Sequence, residues 1–270
     1  MVANAPDVGF PRPGRRGGRF LSLYTWVVIA YLFIPIFVMI AFGFNDISGR
    51  FNFAWQGFTF EHYANLFEIP ELTEALKNSL LIAVISTTLA TAMGTLVALA
   101  LTRYRFRGKG AMNLGIFLPM ATPEIVLGAS LLGLFVTLKI DRGLVTMIIA
   151  HIMFSISYVV VTVRARVAGF DLSLEDAAED LGASPLTVFW TVTFPLIFPG
   201  ILAAGLLAFA LSIDDFVITL FNAGGTTWFP GWVYGASRIG VPPQVNVMGT
   251  LIFMLGVGYA VVALLRARKD

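Results

Sequence analysis

Three carboxylates, Glu124, Asp214 and Asp215, stand in stretches of sequence that are otherwise apolar. A charged group at the centre of a lipid bilayer costs about 2.5–3.5 kcal/mol on insertion scales, so such groups normally face protein or water. Glu124 lies about 13 residues into one apolar run and the aspartate pair about 14 into another, roughly 20 Å along a helix in each case. The three therefore share a depth beyond the midplane. Two readings fit: a water-lined path that favours a cation, or structural use, with Glu124 capping a helix broken at Pro123 and the aspartates anchoring backbone amides. Adjacent helical residues point about 100° apart, so one of Asp214 and Asp215 is expected to face such a path. Trp228 and Trp232, with Phe229 and Tyr234 nearby, suit interfacial anchoring. They also suit stacking on a cationic group.

Other chemistry is excluded by what the chain lacks. It has no cysteine, so disulfides and thiol sites are ruled out, and its two histidines, His62 and His151, have no metal-ligand spacing and are expected in core or interfacial roles. Gly108-Lys109-Gly110 lacks the pattern and the hydroxyl of a phosphate-binding loop. No dinucleotide fingerprint, HExxH pair or nucleophile elbow occurs. No metal or cofactor site is expected.

Of the 270 residues 57% are hydrophobic and 13% charged, and the mean hydropathy is +0.83. Soluble domains carry about 25% charged residues, so much of this chain must be solvated by lipid. Runs long enough to span a bilayer fall at 21–44, 80–102, 111–138, 143–163, 200–221 and 247–265. The expected fold is therefore all-α and polytopic, with six transmembrane helices. Its parts are a tail over 1–20, a first helix over 21–44, an extracytoplasmic loop over 45–79, a core over 80–266 and a tail over 267–270. Pro119 and Pro123 predict a kink in the third span. The first run is too long for a signal peptide and reads as an uncleaved anchor.

Six spans place both termini on one side, and basic residues decide which. Arg12, Arg15, Arg16, Arg19, Arg103, Arg105, Arg107, Lys109, Arg164, Arg166, Arg266, Arg268 and Lys269 share one face, against Arg50, Lys77, Lys139, Arg142 and Arg238 on the other. Both termini are thus expected in the cytoplasm. Basic clusters between apolar runs speak for membrane topology and against nucleic acid.

One cytoplasmic loop, over 171–199, has a helical pattern. Ser173 is expected to cap it with an acidic residue three positions on, and Gly182 to end it in a left-handed conformation. A second short segment, 186–194, is expected to stop at Pro195 and Pro199. On pattern alone a solvated connector and a docking helix fit equally well. The run Glu175-Asp176-Ala177-Ala178-Glu179-Asp180-Leu181-Gly182-Ala183-Ser184-Pro185, followed by Phe194-Pro195-Leu196, resembles the EAA loop of ABC importer permeases. Asp176 stands where Glu is usual and Phe194 where leucine is common.

The resemblance extends through Leu76-Lys77-Asn78-Ser79-Leu80 and, more specifically, through Ser212-Ile213-Asp214-Asp215-Phe216-Val217 and Gly240–Asn246. These look like the second permease of spermidine/putrescine-type importers. It implies a coupling helix docking on a cytoplasmic ATPase through Glu175, Asp176, Ala177, Ala178, Leu181, Gly182, Ala183 and Pro195. It also implies a homologous second permease, two ATPase subunits holding ATP and Mg2+, an extracytoplasmic binding protein, and residence in a bacterial inner membrane. Relatives with similar segments carry opines or phosphonates, and a secondary transporter or an intramembrane enzyme built on Glu124 and His151 would share some of these features. No internal repeat of the kind secondary transporters show is evident.

Overall fold

A computed structural model describes residues 15–47, 49 and 51–267; Arg12, Arg50, Arg268 and Lys269, and the side chains of Arg15, Arg16, Arg19 and Arg266, lie outside the description. The described residues are helical apart from loops and one isolated antiparallel bridge between Asn45 and Phe58. The chain divides into two compact units, Met1–Leu66 with Ile239–Asp270, and Phe67–Arg238.

In the first unit, α1 (Arg15–Phe42) packs on α12 (Pro243–Ala267), with Gly249 close under the Met39 sulfur. Most of α1 is exposed and apolar, as a helix facing lipid would be. The loop after it is organised by buried Asn45. Its Nδ2 donates to Asn52 Oδ1 and the Ala54 carbonyl, both at 2.7 Å, while its Oδ1 accepts the Gln56 N–H at 2.7 Å. The short helix α2 (Glu61–Ala64) follows, and His62 Nε2 donates to the Asn45 carbonyl at 3.0 Å.

The second unit is built on α3 (Pro70–Arg103), α6 (Leu144–Ala168) and α9 (Phe194–Asp214). On α3, Ser86, Ala90, Gly94 and Ala98 recur every fourth residue, which puts them in line on one buried face. Small side chains let membrane helices approach closely. At Gly94 a Cβ would lie 2.6 Å from a Val159 methyl of α6, so only glycine fits. Ala98, Leu101, Val159, Val163, Ile197 and Ala204 fill the core this approach creates.

Several boundaries depart from expectation. α3 begins at Pro70 rather than at 80, inside the expected loop, because Leu72, Ala75 and Ser79 already face the core beneath the charges of Glu71, Glu74 and Lys77. The expected single kinked span over 111–138 is two helices, α4 (Lys109–Ala121) and α5 (Glu124–Thr137), bent by 112°. The cause is local: Thr122 precedes a proline and is extended (φ −86°, ψ 134°), and Pro123 has no N–H to carry the ladder through. The expected span over 200–221 is likewise divided. α9 ends at Asp214, Asp215 is extended, and α10 (Val217–Asn222) restarts beyond it.

The prolines at 195 and 199 do not end a segment. α8 (Pro185–Val188) runs through a π-helical stretch, Phe189–Thr193, directly into α9, forming one 30-residue apolar helix. The Phe194 N–H reaches back to the Phe189 carbonyl, and this widened turn absorbs the missing N–H of Pro195. Among the described residues, four helices are long and apolar enough to cross a membrane, the α4–α5 pair adds a broken fifth, and α12 carries a shorter apolar stretch.

Candidate functional site

At one end of the second unit the helix α7 (Ser173–Asp180) lies between the end of α6 and the start of α8. Its N-terminus is not capped by Ser173, as expected, but by Asp171, whose Oδ1 accepts the Ser173 N–H at 3.0 Å. The carboxylate two residues upstream can bend back onto the free amide, whereas the Ser173 amide is itself one of the unpaired donors. This bond, together with the Ser173 hydroxyl, holds the Asp171 carboxyl below its ordinary value. A depressed pKa means the contact is intact at neutral pH and is lost only as pH falls through that lowered value, beneath the ordinary carboxylate range.

The other end stops as expected. Gly182 is left-handed at φ +87°, its N–H donates to the Glu179 carbonyl at 2.8 Å, and the Ala183 N–H reaches the Ala178 carbonyl at 3.1 Å. That pair of bonds is the Schellman closure, which a residue with a Cβ would strain.

One side chain ties α7 to the rest. Glu175 Oε1 pairs with Arg103 Nη2 and accepts the hydroxyl of buried Thr193. Arg103 lies in the last turn of α3 and Glu175 in the first turn of α7, so each charge sits where its own helix dipole favours it. Thr193 belongs to the π-helical stretch. A single carboxylate therefore joins three segments. Close by, Arg164 Nη1 donates to Asn113 Oδ1 at 2.8 Å and Arg166 Nε to the Leu196 carbonyl at 3.1 Å.

The remaining residues read from the loop divide by exposure. Asp176, Ala177 and Gly182 are exposed, and Leu181 is 90% exposed; Ala178 and Ala183 are half-buried; Pro195 is exposed on the long helix. Leu181 is thus a bare apolar side chain next to a helix whose exposed residues include Asp176, Glu179 and Asp180. Sequence reasoning grouped Glu175 with this surface. The structure turns it inward, and Arg103 and Thr193, its partners, were not foreseen.

Near the other end of the same helices lies a buried polar cluster around the break after Asp214. The Asp215 carboxylate accepts the backbone N–H groups of Ile218 (3.3 Å) and Thr219 (2.8 Å) and the Thr219 hydroxyl (2.6 Å). It thereby satisfies the free amides at the start of α10. His151 of α6 reaches Thr219 Oγ1 through Nε2 at 2.8 Å and Ser212 Oγ through Nδ1 at 2.6 Å. Ser212 lies 3.3 Å from Ser86 of α3. All five residues are buried. Lower on α10, the Asn222 carbonyl accepts the Thr146 hydroxyl of α6 at 2.9 Å.

The expected path residues are distributed unevenly. Asp214 is exposed and Asp215 is buried, but not by the helical offset expected of adjacent positions, since α9 ends at Asp214 and Asp215 is extended. Trp228 closes a small enclosed chamber with Ser79, Ile82 and Asp215; its Nε1 is buried without a hydrogen-bond partner, and its ring lies beside Phe216 at 6.1 Å between centroids. Trp232 is half-buried on α11 (Phe229–Ala236). Glu124 is not part of that chamber. It is exposed in the first turn of α5 and lines a separate cleft of about 330 Å³ with Pro119, Thr122, Phe154, Tyr158 and Ile218. Ser86 and Thr219 were missed as site residues, and His151 was considered only as a core residue or as a partner of Glu124, with which it shares no cavity; the one available signal was Thr219 standing four residues after Asp215, where a helical side chain can return to it.

Comparison with known proteins gives the arrangement its family. The chain is 41% identical over 254 residues to the spermidine/putrescine transport system permease protein PotC of Escherichia coli strain K12, covering 94% of each chain. It is 39% identical over 230 residues to the putrescine transport system permease protein PotI of the same strain, covering 82% of this chain and 81% of that one. The fold matches a chain in the crystal structure of a bacterial ABC transporter involved in the import of the acidic polysaccharide alginate. The TM-score there is 0.65, with 16% identity, over 93% of this chain and 96% of the other. Residues 90–267 match the family described as the binding-protein-dependent transport system inner membrane component, and the chain belongs to it.

Proposed function

We propose that the chain is the translocation subunit of an ATP-driven importer of spermidine, putrescine or a closely similar organic polycation. The observation that carries the substrate class is the 41% identity to a spermidine/putrescine permease over 94% of both chains. The exposed carboxylates of Asp214 and Glu124, in otherwise apolar helices, support it, since a fixed negative charge lowers the cost of carrying a cation through a low-dielectric path. Trp232 and Trp228 supply aromatic faces against which an alkyl-ammonium chain can stack.

The chain crosses the membrane six times in this reading. The α4–α5 pair makes one broken span, α9 with α10 another, and α12 the last, with both termini and the loop 171–199 in the cytoplasm. Six helices enclose no path alone, so a second, homologous permease completes it. Two cytoplasmic ATPase subunits bind ATP and Mg2+ and do the hydrolysis; this chain is not itself catalytic. α7 is the coupling helix. Asp176, Ala177, Ala178, Leu181, Gly182 and Ala183 offer the docking surface, and Glu175 transmits its displacement to α3 and to the π-helical start of the long helix that contains Pro195. A binding protein delivers substrate from the opposite side, and the bundle alternates access as the ATPases close and reopen.

Reconstitution with the cognate permease, ATPases and binding protein tests this. ATP-dependent uptake of radiolabelled spermidine or putrescine, competed by unlabelled polyamine and not by a phosphonate or an opine, is the expected result. Uptake of an anionic solute in preference would overturn the substrate assignment.

A further inference from the structure

The break after Asp214 is bridged by a chain of hydrogen bonds, and between Asp215 and His151 Nε2 their direction follows from the donors available. Thr219 has one hydroxyl proton, and at 2.6 Å from a carboxylate oxygen that already faces a backbone N–H, that proton points to Asp215. The Thr219 oxygen can then only accept from His151 Nε2, 2.8 Å away, so Nε2 carries the proton. In the neutral imidazole Nδ1 is then an acceptor, and the Ser212 hydroxyl, at 2.6 Å, donates to it. Ser212 also lies 3.3 Å from the Ser86 hydroxyl, which itself reaches the Ala83 carbonyl at 3.4 Å. With a neutral imidazole the proton order runs one way from Ser212 of α9 through His151 of α6 to Thr219 of α10, and ends on the carboxylate that caps α10.

We propose that His151 is the positioning residue of the broken span, fixed as its Nε2–H tautomer, and that it sets the turn which leaves Asp215 buried and Asp214 exposed. Neither serine nor threonine could substitute, because the site needs a donor and an acceptor on one rigid group bridging Ser212 and Thr219, seven residues apart across the break. Without it the Thr219 oxygen and the Ser212 hydroxyl lose partners, and the capping carboxylate loses the group that orients its own donor. The transport consequence rests on the importer reading above; the tautomer does not.

The chain has only two histidines, which makes a direct test practical. With His62→Gln leaving one imidazole, and this chain alone labelled with nitrogen-15 histidine in the reconstituted complex, NMR at neutral pH should show a protonated Nε2 and a bare Nδ1. Ser212→Ala should move the Nδ1 resonance. A proton on Nδ1, or on both nitrogens, overturns the proposal. In the same complex His151→Leu should lower polyamine uptake on the order of tenfold, while His151→Gln, which offers both an amide donor and an acceptor, restores most of it. Equal loss in both variants with normal assembly contradicts the positioning role. Failure of the unsubstituted complex to import polyamine would sink the importer reading instead and leave the NMR result standing.

Discussion

Asp214 and Asp215 are neighbours with opposite environments, and substitution should separate them. Asp214 is exposed at the end of α9, so Asp214→Asn should leave the purified complex as stable as before while uptake falls roughly tenfold, equivalent to about 1.4 kcal/mol of lost stabilisation of the moving cation. Asp215 accepts three hydrogen bonds in the interior. Asp215→Asn removes the charge from this set and turns one acceptor into a donor, a loss of about 2 kcal/mol on the scale of bonds to charged groups. The expected readout is a lower thermal midpoint and reduced yield of the complex, with uptake falling in proportion. If both variants lose uptake alike with unchanged stability, the two aspartates share one role and the divergence drawn here is wrong. The sequence showed that such carboxylates needed an explanation and led to the expectation that one of the pair would face a path; the structure makes one exposed and the other buried. The sequence did not reveal which, because that depends on where the helix breaks, and the residues on either side of the break contact His151 of α6, more than sixty positions away.

The helix α7 is legible in its outline and opaque in its attachment. Its end at Gly182 follows from local chemistry, since a left-handed residue closing two carbonyls favours glycine wherever it occurs. Its start does not, because Asp171 competes with Ser173 for the cap and wins by reaching back to a free amide. Asp171→Asn, which keeps the acceptor, should retain α7, and Asp171→Ala should fray it. Amide exchange at Ser173–Asp176 checks both. Glu175 depends on pairing between distant segments, with Arg103 and Thr193, and its inward turn could not be read from the run of acids around it. An exposed ion pair contributes only about 0.2–1 kcal/mol, whereas leaving a buried hydroxyl unpartnered costs about 1–3 kcal/mol. Glu175→Gln should therefore be mild, because Gln still accepts from Thr193, while Glu175→Ala should be more severe in stability and in uptake per ATP hydrolysed. A Gln variant as damaged as the Ala variant would show that the charge, not the tie to Thr193, is what matters.

At the level of the molecule, hydropathy was enough to recognise a polytopic helical chain, since lipid leaves the backbone few options, although six runs were expected and four long helices with a broken fifth are found among the described residues. Hydropathy was not enough to place the breaks. Pro123 and Asp215 each convert what hydropathy reads as one run into two helices, and Pro195 fails to break one because a π-helical turn accommodates it. Because the chain lacks cysteine, single cysteines can report sidedness without background. Cysteine at Asp171 or Leu181 should react with an impermeant maleimide only from the cytoplasmic side of oriented vesicles, and cysteine at Gly225 only from the other; labelling of all three from one side would refute the proposed topology. In the proposed importer α7 receives force from an ATPase through its bare tip, where Leu181 is 90% exposed. The most direct test of this is ATP-driven spermidine uptake by the reconstituted complex carrying Leu181→Asp, with ATP hydrolysis measured in the same vesicles. Loss of uptake together with loss of substrate-stimulated hydrolysis is predicted, in a permease chain that still folds. Undiminished uptake and an ATPase still fully responsive to substrate would contradict it.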